Sequence, residues 1–160
     1  VSALVVRMNV SGFETIDAIL DRLSRPQGET LIESLARLMR EQIKNRIEAG
    51  GPSPDGAAWK ANIEGRKPML YRSGALARSI DYAVSGNQAV VGSGLIYAAI
   101  HQYGGTILPK KGDRLAFRIG NRQVFARKVT MPARPFVGLS GEDRGELVRA
   151  AVLYLRSLIG

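Results

Sequence analysis

His101 is the one histidine in this chain of 160 residues, and cysteine is absent. Without cysteine there is no disulfide, no thiolate nucleophile and no cysteine zinc site. With one histidine, no multi-histidine metal site can form within a single chain. The phosphate-cradling GxxxxGK[ST] pattern is missing, as are GxSxG and HExxH. Asp113 is the one carboxylate between Ile96 and Gly141, so the central region cannot supply a carboxylate pair for acid–base work. A Ser–His–Asp relay would have to be built on His101, and its position on a helix provides no reason to expect one. The expected role of His101 is a hydrogen bond from its ring to a backbone carbonyl or to a neighbouring chain, and Gln102 can act in the same way. A pH switch is open to any histidine, but nothing in the pattern points to it. The residues therefore give no sign of a catalytic reaction, and no metal site is expected.

His101 sits in Tyr97–Gly105, YAAIHQYGG, the least generic stretch of the chain. Ile96, Ala99, Ile100 and Tyr103 recur three and four apart, which predicts one apolar face of a short helix. Tyr97 and His101 are four apart and can touch on the neighbouring face. Gly104 ends the helix, and Gly105 lets the chain leave at a sharp angle.

The charge is concentrated downstream of that helix. The chain holds 23 Lys and Arg against 14 Asp and Glu, a net +9. Lys110, Lys111, Arg114, Arg118, Arg122, Arg127, Lys128 and Arg134 face a single acid, Asp113, between Gly105 and Pro135, so eight minus one places +7 there. Such a segment can meet nucleic acid or an acidic protein surface; solubility and local salt bridges are the plainer alternative. Only Phe117 and Phe125 interrupt it as aromatics, so contact with nucleic acid would be to phosphate and blind to sequence.

The elements that position these residues follow from periodicity. Ala3–Val10 reads as a strand. Ser11 and Glu14 form a capping-box pattern ahead of a helix carrying Phe13, Ile16, Ile19, Leu20 and Leu23, which Arg25-Pro26-Gln27-Gly28 should end. Thr30 and Glu33 form a second capping box for a helix over Thr30–Ala49, with Leu31, Ile32, Leu35, Leu38, Met39, Ile43 and Ile47 as its stripe. Glu33–Arg37 and Glu41–Lys44 are spaced for surface ion pairs, and Gly50-Gly51-Pro52 stops the helix. Gly51–Lys67 is a long loop in which Trp59, the one tryptophan, is expected to pin the loop to the body; an exposed partner contact is the alternative. Ser73 is placed to cap a short helix near Gly74. Gly86-Asn87 and Gly120-Asn121 mark two hairpins, the second with Leu115, Phe117 and Ile119 alternating on its first strand. A final helix over Glu142–Ile159 carries Leu147, Val148, Ala151, Val152, Leu155 and Ile159 as its stripe, with acids in its first turn. The longest apolar runs are Leu95–Ile100 and Ala150–Leu155, far short of the roughly 20 residues a bilayer span needs. The N-terminal VSALVVRMNV lacks the pattern of a signal peptide. The expected architecture is a single α+β domain over residues 1–160. It places a mainly antiparallel sheet with hairpins against two long amphipathic helices, with a basic hairpin inserted at about 106–130.

In order, PDGAAW, LYRSGALARSI, a Gly-Asn hairpin ending VVGS, YAAIHQYGG and MPARPFVGLS resemble the phage virion morphogenesis family, the tail-completion and neck proteins of long-tailed, Mu-type phages. The resemblance covers roughly Leu31 to Ile159. It implies a small structural subunit of the virion, assembled in the host cytoplasm into a ring, expected to be a hexamer, where tail meets head. It also implies contact with neighbouring neck, connector or tail-tube proteins, with genomic DNA in the channel as a further possibility, and no membrane, enzyme activity or cofactor. The family-motif positions are Asp55, Gly56, Trp59, Leu70, Gly74, Leu76, Ser79, Tyr97, Ala98, His101, Gln102, Gly104, Gly105, Pro132, Arg134, Pro135 and Phe136. The pattern does not divide them between folding and assembly. The prolines stiffen an extended segment, Phe136 is expected to bury beneath it, and Arg134 to pair with an acid within the fold or across a subunit boundary. Two other classes stay open on the residues alone: a basic module binding nucleic acid without sequence preference, and a virion-associated hydrolase using His101.

Overall fold

The computed structural model describes residues 4–9 and 13–160, the first of these segments by its backbone. In chain order they form β1 (Leu4–Asn9), α1 (Glu14–Leu20), α2 (Arg25–Ala49), α3 (Ala75–Arg78), β2 (Ile80–Ser85), β3 (Gln88–Ser93), α4 (Ala98–Tyr103), β4 (Gly105–Ile107), β5 (Leu115–Ile119), β6 (Arg122–Ala126), β7 (Val129–Met131) and α5 (Gly141–Ile159). The fold is mixed α+β: α2 and α5 pack together with small antiparallel hairpins.

The apolar stripe of α2 is the spine of the core. Leu31, Ile32, Leu35, Ala36, Met39, Ile43 and Ile47 are all buried. One side of the helix receives β2 and β3, whose Ile80, Ala89 and Val91 join the same core, and α5 lies against it with Leu147 and Ala151. β3 is the middle strand of a three-stranded sheet, antiparallel to β1 and to β2, with Val91 opposite both Val6 and Tyr82. The turn Gly86-Asn87 closes the β2–β3 hairpin and Gly120-Asn121 the β5–β6 hairpin, as their spacing predicts. The ion pairs Glu33–Arg37 and Glu41–Lys44 are present at 3.1 and 3.6 Å.

Several boundaries differ from expectation. Arg25–Gly28 does not end a helix; it is the first turn of α2. Proline lacks only an N–H that would be unbonded there anyway. The Ser24 N–H donates to Gln27 Oε1 at 3.0 Å, which moves the cap six residues upstream of Thr30. Thr30 is inside the helix, its hydroxyl donating to the Pro26 carbonyl. Ser11, Ala3 and Val10 lie outside the described residues, and α1 starts at Glu14 with Phe13 in the cap position. The strands form three small sheets instead of one. α5 packs on α1 and α2, so α2 alone of the two long helices carries the three-stranded sheet. Its stripe also runs out early, since Ile159 is 78% exposed.

Candidate functional site: a buried clasp and an exposed basic arm

Arg134–Gly138 belongs to no sheet, yet Phe136 and Val137 are buried. A buried backbone outside a ladder must find its hydrogen bonds elsewhere. Gln102 provides three. Its Oε1 accepts from the N–H groups of Phe136 and Val137, each at 3.0 Å, and its Nε2 donates to the Val137 carbonyl at 3.1 Å. The side-chain amide thus replaces a missing neighbouring strand. Arg46, from the last turn of α2, donates to the carbonyls of Phe136 at 2.8 Å and Gly138 at 3.0 Å and pairs with Asp143. Trp59 Nε1 donates to the Pro135 carbonyl at 3.0 Å, which pins the long loop as expected. The N–H of Arg134 donates to the His101 carbonyl at 2.7 Å. Its guanidinium turns inward to the carbonyls of Lys60 at 2.7 Å and Ala61 at 3.0 Å. Three motif phrases that lie far apart in the chain therefore meet in one hydrogen-bonded clasp.

The helix that delivers Gln102 is buried on a different face from the one periodicity predicts. Ala98 and Gln102, four apart, point inward, whereas Ile96 and Tyr103 are 72% and 66% exposed. Hydrogen bonding decides the orientation: an amide with three backbone partners belongs inside, and no apolar side chain could supply them. Gly104 ends α4 at φ 68°, and a Cβ there would sit 2.7 Å from the Ala133 nitrogen and 2.8 Å from the Met131 carbonyl oxygen. Any side chain at this position would strike backbone that the clasp holds in place.

Two partners expected within the fold are not found among the described residues. His101 makes no ring hydrogen bond through Nδ1, which is buried and without a partner among the described residues. Its ring meets the edge of Tyr97 at 5.8 Å between centroids. Burial, and secondarily the charge of Arg134, holds its pKa below the ordinary histidine value. Arg134 pairs with no acid among the described residues; backbone carbonyls take its hydrogen bonds, and burial lowers its pKa.

The remaining motif residues shape loops and core. Asp55 Oδ1 accepts from the Ala57 N–H at 3.0 Å across the turn at Gly56. Leu70 and Leu76 are in the core, and Gly74 caps α3, with Ser73 Oγ accepting from Ala75 at 3.4 Å. Ser79 Oγ shares a 2.7 Å hydrogen bond with Ser93 Oγ. Arg46, Asp143 and Gln42 are clasp members that the sequence reading missed. Gln42 donates to Glu146 and to the Asp143 carbonyl, tying α2 to α5. A signal was available: Gln42 and Arg46 are four apart and interleave with Met39, Ile43 and Ile47, where surface polar residues do not belong.

The basic segment forms an arm in two stages. β4 and β7 pair at its base and β5 and β6 at its tip. No residue between Thr106 and Thr130 is fully buried. Lys110, Lys111, Arg114, Arg118, Arg122, Arg127 and Lys128 are all exposed, and among the described residues none forms an ion pair. With Arg134 drawn into the clasp, seven cations less Asp113 leave the arm at +6. Leu115, Phe117 and Ile119 turn toward the loop around Ile63, enclosing an apolar groove of about 410 Å³. The tip is tied back: the Gly120 N–H donates to Glu64 Oε1 at 3.2 Å, so the arm lies along the body more than it projects from it.

Residues 12–156 match the phage virion morphogenesis family. The chain is 29% identical, over 97% of its length and 99% of the other's, to "Mu-like prophage FluMu G protein 2" of Haemophilus influenzae. It is 38% identical over 82 residues to "Putative capsid assembly protein G" of Escherichia phage Mu, which covers 51% of this chain and 43% of that protein. No solved structure matches the chain. Among the described residues no helix is long and apolar enough to cross a membrane.

Proposed function

The chain belongs to the phage virion morphogenesis family, and we propose that it is a structural subunit that assembles into a ring at the head–tail junction, completing the tail or forming the neck. The observation that carries this reading is where the motif residues go. Trp59, Gln102, Gly104, Arg134 and Phe136 are spent on one intramolecular clasp. The arm cations and the apolar groove beside them have no task within the subunit and are free for partners: other copies, and neck, connector or tail-tube proteins. The phage Mu relative is named for capsid assembly, which places a relative in particle building. We assign this chain the joining step.

No catalytic role is assigned. The His101 ring meets Tyr97, its carbonyl accepts from the Arg134 N–H, and its buried Nδ1 has no partner among the described residues, so no carboxylate is bonded to Nδ1 as a relay needs. The test is the mass of the purified chain by light scattering, together with cryo-electron microscopy of whole particles. A discrete ring located between head and tail supports the proposal. A monomer that binds DNA tightly, with affinity falling steeply as salt rises, would replace it with the nucleic-acid reading, which the exposed arm cations favour. Hydrolysis of cell-wall polymer abolished by His101→Ala would instead make the chain an enzyme.

A further inference from the structure

The ring reading requires two different, complementary surfaces on one subunit, because a closed ring is built from head-to-tail contacts. The fold presents two such surfaces near opposite ends of α2. This helix has 25 residues, roughly 37 Å at 1.5 Å per residue. Arg46, near its end, holds the clasp, and the clasp's Arg134 and Pro132 line the groove under the arm. Near its start, the Tyr154 hydroxyl of α5 donates to the Gln27 carbonyl at 3.1 Å, so the last turns of α5 lie at the other end.

The two ends match in apolar character. The arm end has the groove of about 410 Å³, with Ile63 on its wall 74% exposed. The opposite end has aliphatic side chains that nothing covers among the described residues: Leu153, Leu158 and Ile159 are exposed on the last turns of α5. They also match in charge. The arm carries seven cations that are unpaired among the described residues. On α2, Glu29, Glu33 and Glu41 are paired within the chain. Glu14 and Asp17 on α1 and Asp21 at its C-cap, three and four apart, have no ion pair among the described residues. α1 packs beside α5, with Glu14 and Leu155 bordering one shallow groove. Arg22 borders the same groove and Arg144 stacks over the Phe13 ring beside Glu14, so the attraction belongs to the α1 carboxylates and not to that whole end.

We propose that each copy docks the last turns of its α5 into the arm groove of the next copy, with the α1 carboxylates meeting the arm cations. The occupant is thus a second copy of this chain. The inference rests on the ring reading, and the experiment separates the two.

Two capped variants are made on exposed residues: Ile63→Asp at the groove, and Leu158→Asp with Ile159→Asp at the helix end. Each keeps one working end. Their masses are read by sedimentation, with circular dichroism confirming the parent's helix content. Each variant alone should remain a monomer, and an equimolar mixture should give a dimer of twice the monomer mass that grows no further. Either variant assembling alone like the parent, or a mixture that stays monomeric, overturns the proposal. A parent chain that is monomeric at every concentration overturns the ring reading instead. In a second measurement, Glu14→Lys, Asp17→Lys and Asp21→Lys should weaken assembly at low salt. Combining them in one chain with Arg114→Glu, Arg118→Glu and Arg127→Glu should restore it. No loss, or no restoration, removes the charge match from the contact.

Discussion

The clasp and the arm both rely on arginine and use it in opposite ways. The side chains of Arg46 and Arg134 are turned inward, and every donor named above ends on a carbonyl or on Asp143. The seven arm cations are exposed and have no pairing acid among the described residues. A buried guanidinium is tolerated only when its hydrogen bonds are satisfied, and removing it strands its partners. An exposed one adds almost nothing to stability. The same residue type therefore ties buried backbone together in one region and lies exposed and unpaired among the described residues in the other. In this chain, charge by itself does not separate a structural arginine from a surface one. The fate of each donor does.

The largest expected effect tests whether the clasp is structural. Arg46→Ala should remove about 3–5 kcal/mol of stability. It takes the ion-pair partner from the Asp143 carboxylate, only 13% exposed and left with the Ser140 N–H, and frees two carbonyls. Chemical denaturation gives the number. A loss within about 0.5 kcal/mol, the size of an ordinary surface change, would erase the contrast with the arm. Gln102→Leu should follow at about 2–4 kcal/mol, because two N–H groups and one carbonyl lose partners inside the protein. Leucine fills similar space, so the loss measures hydrogen bonding and not a cavity.

A smaller effect depends on pH. The folded chain holds the His101 pKa below its ordinary value of 6.5, first by burial and then through Arg134. Below pH 6.5 the unfolded chain takes the proton first, so this residue's contribution to stability falls with pH until the folded pKa is passed, and then levels off. The melting temperature should drop more steeply below pH 6.5 for the parent than for His101→Phe. Parallel curves would mean that water reaches Nδ1.

Periodicity made most of the body legible. The α2 stripe and both Gly-Asn hairpins follow from apolar spacing and turn chemistry, which are local properties, and that Trp59 is buried follows from its residue type. It failed where a polar contact across the chain overrode a local pattern. Ile96, Ala99, Ile100 and Tyr103 look like an inner face, yet Gln102 turns α4 the other way because residues 34 and 35 positions downstream need its amide. Arg25-Pro26 reads as a helix end until the Ser24–Gln27 hydrogen bond makes it a start. The arm's composition was plain, but its contact with Glu64 was not, since that carboxylate lies 56 residues upstream. The clasp was visible only as a set of motifs, because nothing local links Arg46 or Trp59 to a segment so far along the chain.

The smallest expected effect on stability carries the most weight for function. Arg114→Glu, Arg118→Glu and Arg122→Glu together change the arm by six charge units, yet each side chain is exposed and unpaired among the described residues. Folding should shift by no more than about 0.5 kcal/mol per site. Separating like charges on one small hairpin even relieves repulsion, so a slight gain is within reach. Assembly is where the change should register. If the arm docks on an acidic protein surface, particles carrying this variant make normal heads and tails that fail to join, and electron microscopy shows the two populations apart. If the arm faces DNA in a bore, particles join but hold or release their genome abnormally, because a ring of cations attracts phosphate without regard to sequence. The first outcome is expected, since a strongly cationic bore would hinder DNA passage. Particles that join and infect like the parent would reduce the arm to a solvated surface and leave the clasp as the one region with a demonstrated task.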